Sequence, residues 1–231
     1  MLRADDVVRR YGTGRDAVTA LDGVSIRVAP GERVGLVGRS GSGKSTLARV
    51  LAMLERPDAG GVIVDDERVT SWGVGTPRHL RRQVQLIWQS PRLASDPRLR
   101  LRDLVLEPLR AHRARPRSRA EQREILGRWA ALVGMTAELA DRFPHEVSDG
   151  QLQRACLARA LILEPRYLVC DEMSSMLDVS TQASLLEVIA ERQRTTDMGV
   201  LLVTHDHVLA EHWCDRIVEL EAGRVAEAPV V

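Results

Sequence analysis

Two periodicities divide the chain. Short apolar runs bounded by Gly, Pro or Asp predict strands at residues 7–11, 23–28, 33–37, 62–64, 82–89, 167–172 and 200–204. Residues 167–172 (Tyr-Leu-Val-Cys-Asp-Glu) and 200–204 (Val-Leu-Leu-Val-Thr) are apolar until their polar ends. That is the pattern of a strand buried on both faces, as in a parallel sheet. Residues 82–89 (Arg-Gln-Val-Gln-Leu-Ile-Trp-Gln) alternate instead. Residues 218–220 and 223–225 predict a closing hairpin. Helical spacing takes over after residue 46, again at Leu185, Leu186, Val188 and Ile189, and through much of 90–160. In that last region Pro91, Pro97, Pro108 and Pro116 cut the chain into short pieces. Ser118-Arg119-Ala120-Glu121 has the form of a capping box. Ile125, Leu126, Trp129, Leu132 and Val133 then recur at three- and four-residue steps, which assigns Trp129 to a core stripe.

Between the strand 33–37 and the helix after it lies Gly38-Arg39-Ser40-Gly41-Ser42-Gly43-Lys44-Ser45-Thr46. It matches G-x-x-x-x-G-K-[ST], a loop that cradles nucleotide phosphates. Its glycines let backbone N–H groups approach an anion, and the following helix points its positive end at the same anion. Lys44 can reach terminal phosphates, and the Ser45 hydroxyl can bind Mg²⁺. Of the 33 Lys and Arg residues, Lys44 is the sole lysine. A compact ammonium on a flexible stem suits this position better than the wide guanidinium fork used everywhere else. The alternative is a Gly/Ser-rich turn with a chance lysine, and the flanking strand and helix count against it.

Other positions carry candidate chemistry, each beside a plainer reading. Tyr11 is one of few aromatics and could stack on a base, or be a half-buried strand-end residue. Gln89 ends the alternating strand, where it could ligate Mg²⁺ and orient water, or simply face solvent. Ser148-Asp149-Gly150-Gln151 opens a helix, which makes it a second phosphate contact or an ordinary cap. Asp171 and Glu172 end a buried strand: Asp171 can hold Mg²⁺ through water, and Glu172 can polarise an attacking water. His205 ends the strand 200–204, as a γ-phosphate sensor or a structural histidine. Arginines crowd residues 98–123, which is a solvated face or a surface drawn to anionic lipid heads.

Composition narrows the class. With 231 residues the chain can bury a substantial core as one large domain or two lobes. A net charge of +1 argues against nucleic-acid binding driven by bulk charge. Cys156, Cys170 and Cys214 are scattered, with no C-x-x-C spacing, so neither a disulfide framework nor a zinc site is expected. The first residues carry no apolar signal segment, and no apolar run approaches a bilayer span. The expectation is a cytoplasmic protein that serves a membrane, if at all, through a partner.

In their order, from Tyr11 to Val225, these pieces resemble the nucleotide-binding subunit of an ABC transporter. Tyr11 matches the aromatic A-loop, residues 38–46 the Walker A motif and Gln89 the Q-loop. Val147 to Gln151 stands where the signature Leu-Ser-Gly-Gly-Gln belongs. Leu168 to Asp171 matches Walker B, with Glu172 as the catalytic carboxylate. Residues 175–178, ending in Asp178, match the D-loop, and His205 the H-loop. The stretches around Trp88-Gln89-Ser90-Pro91, Glu107-Pro108-Leu109, Phe143-Pro144-His145-Glu146 and Leu177-Asp178-Val179-Ser180 further resemble the peptide and nickel importers. The C-terminal extension common among dipeptide and oligopeptide ATPases of that group does not follow the last strand, which leaves the substrate open. Asp149 replaces the first signature glycine and Val147 its leucine. Met173 replaces a proline after the catalytic Glu, and Met176 a small residue.

The resemblance implies an α/β P-loop NTPase with a RecA-like parallel-sheet core, an N-terminal antiparallel β subdomain and an inserted α-helical subdomain. It implies a single ABC ATPase domain over 1–231, with a catalytic lobe of 1–89 and 161–231 and a helical lobe of 90–160 carrying the signature loop. ATP and Mg²⁺ are the implied ligands, with Ser45, Gln89 and Asp171 on the metal. The implied partners are a second ABC ATPase subunit, as homo- or heterodimer, transmembrane permease subunits and an extracytoplasmic substrate-binding protein. The subunit would then lie peripherally on the inner face of the membrane. ATP would sit between Walker A of one subunit and the signature loop of the other, and hydrolysis would reopen the pair. Two alternatives remain: an ATPase accessory to a soluble enzyme complex, such as a carbon–phosphorus lyase system, and a regulatory module with weak hydrolysis.

Overall fold

A computed structural model describes residues 1–14, 17–112, 116, 118–173 and 178–226. In chain order its elements are β1 (Leu2–Tyr11), β2 (Val18–Val28), β3 (Arg33–Val37), α1 (Lys44–Leu51), β4 (Ala59–Val64), β5 (Glu67–Arg68), α2 (Arg78–Gln83) and β6 (Val84–Ile87). Then come α3 (Leu101–Ala111), α4 (Arg119–Leu132), α5 (Ala137–Ala140), α6 (Asp149–Leu161), β7 (Tyr167–Asp171), α7 (Val179–Thr196), β8 (Gly199–Val203), α8 (His207–Trp213), β9 (Arg216–Glu221) and β10 (Arg224–Val225). They form two compact units. One comprises Met1–Leu86, Arg166–Glu172 and the chain from Thr196; the other comprises Ile87–Pro165 and Met173–Thr195.

The first unit holds two sheets. A four-stranded antiparallel sheet has the order β2-β1-β4-β5. A six-stranded sheet has the order β10-β9-β3-β8-β7-β6, in which β9, β3, β8 and β7 run parallel and β10 turns back on β9. Every residue of β7 and β8 is buried, as expected of apolar runs that only the terminal Asp171 of β7 interrupts. One apolar cluster joins Leu2 and Leu21 of the first sheet, Leu47 and Leu51 of α1, and Val169 and Leu201 of the second. Full burial of such a side chain contributes about 2 kcal/mol, so α1 is clamped where it follows the phosphate loop.

The order β3-β8-β7 positions the chemistry. Leu36 and Asp171 both pair with Val203, so three neighbouring parallel strands end at one level. Residues 38, 172 and 204–205 leave from those ends together. Ligands of open α/β sheets bind outside such carboxyl ends.

The second unit is helical, and α3 and α4 both pack on α6. Trp129 is buried, with the guanidinium groups of Arg128 and Arg192 at 5.1 and 5.3 Å from its ring centre. Arginines also staple its connections: Arg154 donates to Val133 O at 2.7 Å and Arg159 to Ala94 O at 2.7 Å. No helix among the described residues is long and apolar enough to cross a membrane.

Sequence pattern and structure differ at residues 82–89. Arg82 and Gln83 close helix α2, and the strand is only Val84–Ile87. The polar-apolar alternation there is compatible with either element once Leu80 turns inward to the core. Trp88 and Gln89 lie past the strand, both exposed.

Candidate functional site

The phosphate loop is shaped by its glycines at two places. Gly38 has φ +149°, and a Cβ there would lie 2.2 Å from Leu220 O. Gly43 has φ +106°, and its Cβ would lie 2.2 Å from Ala20 O. Gly43 is also the N-cap of α1, so the helix starts at Lys44. Lys44 is 4% exposed and donates through Nζ to Gly38 O (2.8 Å) and Arg39 O (2.9 Å). Its ammonium is therefore held over the concave side of its own loop. Ser42 Oγ is buried with no hydrogen-bond partner among the described residues, while Arg39, Ser40 and Gly41 are exposed.

The carboxylates meet this loop. Ser45 Oγ donates to Asp171 Oδ1 at 2.9 Å. Asp171 is 3% exposed; burial raises its pKa and the Glu172 charge adds to that, while the Ser45 hydrogen bond opposes it. Glu172 Oε1 lies 3.9 Å from Lys44 Nζ and 3.7 Å from His205 Nδ1. Glu172 has φ +44°, and its N–H donates to Val203 O at 3.0 Å. That left-handed conformation is strain of a kind that collects at functional sites. The Thr204 N–H donates to Leu36 O at 3.1 Å, fixing the backbone from which the exposed His205 leaves. A buried lysine and an unpartnered hydroxyl are donors suited to a polyphosphate, and the Ser45–Asp171 hydroxyl–carboxylate pair offers oxygens to a cation. Among the described residues no group of three or more His, Cys, Asp or Glu forms a cation cage.

Tyr11 is half-buried and belongs to a network that sequence reasoning missed. Its hydroxyl lies 3.3 Å from Thr46 Oγ1 and accepts from Arg49 Nη2 at 3.3 Å. The Arg9 guanidinium sits 4.8 Å from the ring centre. Glu55 accepts from Arg9 Nε (2.7 Å) and Arg49 Nε (3.0 Å). Burial alone would raise the Glu55 carboxyl, but hydrogen bonds from Tyr11, Arg9 and Arg49 outweigh it and hold it low. Arg9 and Glu55 are 46 residues apart, and Tyr11 and Arg49 are 38 apart, so no local pattern announces those contacts.

The remaining candidates belong to the helical unit. Gln89 follows β6. Ser148 is the N-cap of α6: its Oγ accepts from Gln151 N (3.2 Å), and Gln151 Oε1 accepts from Ser148 N (3.0 Å). Gly150 lies inside that first turn. Asp149, the next residue after the cap, does not cap the helix; its Oδ1 pairs with Arg92 Nε at 2.7 Å. Arg92 also donates to Pro144 O and Val147 O, each at 3.0 Å. Asp178 caps α7, accepting from Thr181 N (2.9 Å), Thr181 Oγ1 (2.7 Å) and Ser180 Oγ (2.6 Å). These bonds, that of Ser180 foremost, hold its carboxyl well below the usual range. Residues 174–177, including the rest of the D-loop and Met176, lie outside the described residues; Met173 is buried.

Comparison with known proteins agrees with this geometry. A family model described as "ABC transporter" matches residues 21–175. A nickel import ATP-binding protein of Rhodospirillum rubrum is 42% identical over 216 residues, covering 93% of this chain and 77% of that protein. A di/tripeptide transport ATP-binding protein of Pseudomonas aeruginosa is 37% identical over 233 residues, covering 98% and 72%. Among solved structures, a dimeric ATP-binding cassette in a post-hydrolysis state, bound to ADP and Pi, superposes with TM-score 0.88 at 26% identity. That match covers 98% of this chain and 97% of the other.

Proposed function

The chain belongs to the ABC transporter family of ATP-binding subunits and is an ATPase, and from that premise we propose that it powers import of a small peptide or of nickel. The resemblance to nickel and di/tripeptide import proteins supports the substrate class. The working assembly in this reading pairs two ATPase subunits beneath a transmembrane permease, fed by an extracytoplasmic binding protein. The subunit is therefore peripheral on the cytoplasmic face.

One observation carries the site assignment: Lys44, the Ser45–Asp171 pair and the Glu172–His205 pair converge at the ends of adjacent parallel strands. Lys44 and the loop amides bind and neutralise the β- and γ-phosphates of ATP. Ser45 and Asp171 would hold Mg²⁺, which when bound neutralises phosphate oxygens. Glu172 orients and polarises the attacking water, and His205 holds the γ-phosphate side of that arrangement. Tyr11 faces the base. Ser148, Asp149, Gly150 and Gln151 meet the ATP held by the other subunit, and Asp178 stands at that same junction. Hydrolysis needs positioning and charge neutralisation more than covalent chemistry, and these groups supply both.

The first test is Glu172→Gln. It keeps the shape and loses the base, so ATP binding stays near wild type while turnover falls about 10²-fold or more. Turnover near wild type overturns the assignment. The second test is purification from the native membrane: a polytopic permease should accompany the subunit, and the loaded binding protein should stimulate its ATPase. Association with a soluble enzyme complex instead overturns the import reading.

A further inference from the structure

We infer that Arg92 is a positioning residue that cancels the charge of Asp149, so that a loop carrying a carboxylate can still close on an anionic phosphate. The inference rests on the proposed role of residues 148–151 toward the other subunit's ATP.

The observations are local to one unit. Asp149 Oδ1 is shielded from solvent and makes no aligned hydrogen bond, so its compensation is the Arg92 charge at 2.7 Å. An unpaired carboxylate on this loop repels a polyphosphate. With a guanidinium beside it, the pair presents a dipole, and its field falls away much faster with distance. The same guanidinium bonds Pro144 O and Val147 O, the carbonyls immediately before the Ser148 cap. Arginine can do both because its fork offers several donors in a fixed plane. Ser148, Gly150 and Gln151 keep an intact cap around the substituted position. The positive end of α6 also favours Asp149 at its first turn. Asp149 and Arg92 thus form a unit, and the departure at 149 has its counterweight 57 residues upstream, at a position that no motif marks.

Charge and scaffolding are separable. Arg92→Gln is neutral and, two bonds shorter than arginine, also gives up the Nη bonds to the carbonyls; Arg92→Lys keeps the charge with fewer donors. The experiment measures steady-state ATPase and ATP-dependent subunit association in the assembled complex. Binding of a fluorescent ATP analogue to the Lys44 loop serves as the control. Arg92→Gln and Arg92→Ala should each lower turnover and association about tenfold, with analogue binding unchanged. Arg92→Lys should stay within about threefold of wild type. The deficit of Arg92→Gln should shrink at high salt, where exposed charges are screened.

The decisive variant is Arg92→Gln with Asp149→Gly. Its turnover should match that of Asp149→Gly alone, because without the carboxylate nothing needs cancelling. A double variant as impaired as Arg92→Gln, or a single variant with no deficit, overturns the inference. Should Arg92→Ala fold poorly, the comparison of Gln with Lys at 92 still decides between charge and scaffolding. If wild-type subunits bind the analogue yet never associate on ATP, the trans-site reading itself falls and takes this inference with it.

Discussion

At the scale of single residues, arginine and lysine divide the work. Arg9, Arg49, Arg92 and Arg159 each bridge two or more partners, using a fork that holds direction as well as charge. Lys44, buried against its own loop carbonyls, would in the proposed site also turn to a ligand, and it is the residue that a fork would crowd. The glycines divide similarly. A Cβ at Gly43 would press into the Ala20 carbonyl, whereas at Gly41 (φ +80°) it meets nothing within 4 Å. Gly41→Ala therefore carries only the cost of a left-handed backbone, about 1–2 kcal/mol. Gly43→Ala adds a backbone collision and should exceed about 3 kcal/mol. Urea unfolding of both variants checks this, and equal losses would contradict the geometry. The phosphate loop of the candidate site was legible at this scale because Gly38 to Ser45 is a local motif. Arg92 was not, because a salt bridge spanning most of a lobe leaves no trace in spacing. Nor was the Arg9–Glu55–Arg49–Tyr11 network, for the same reason.

At the scale of elements, burial on both faces made β7 and β8 readable, since apart from the terminal Asp171 they hold no charged residue. The stripe around Trp129 was readable because its helix has one wet side. Residues 82–83 misled because alternation over so few positions does not distinguish a strand from the end of a helix. The arginine-rich stretch also looked barer than it is. Arg98 pairs with Asp96, Arg102 with Asp141 and Arg110 with Asp103, and Arg100 lies over Phe143. Asp96 and Asp103 lie two and seven residues from their arginines, and Asp141 lies 39 residues on. Caps give the element-scale prediction. Ser118 accepts from Glu121 N at 3.1 Å and begins α4; Ser148 does the same for α6 within a reciprocal box. Alanine at either costs about 1 kcal/mol of stability. Only Ser148→Ala should also weaken ATP-dependent association. Thermal melting alongside ATPase assays separates the two, and loss of ATPase in Ser118→Ala would count against assigning the nucleotide contact to α6 rather than to the lobe at large.

At the scale of the whole molecule, the two compact units raise the question of whether they open together, and the cysteines can answer it. Cys170 is buried in β7 and Cys214 lies near the β3 strand, both in the first unit; Cys156 is buried in α6 in the second. Burial pushes all three thiols up, Cys214 to about 12. The thiolate is the reactive form, so in the folded protein all three should resist alkylation at pH 8, and modification should report opening. A ligand that binds only the native state lowers the open fraction by the factor 1 + [L]/Kd, about 100 at a hundredfold excess over Kd. In the proposed site ATP would contact Lys44, Ser45 and their neighbours, which belong with Cys170 to the first unit. Under an alkylating reagent, ATP should therefore slow modification of Cys170 about 100-fold and that of Cys156 distinctly less, read by mass spectrometry of the separated peptides. Equal protection of both would mean that the helical unit cannot open without its neighbour.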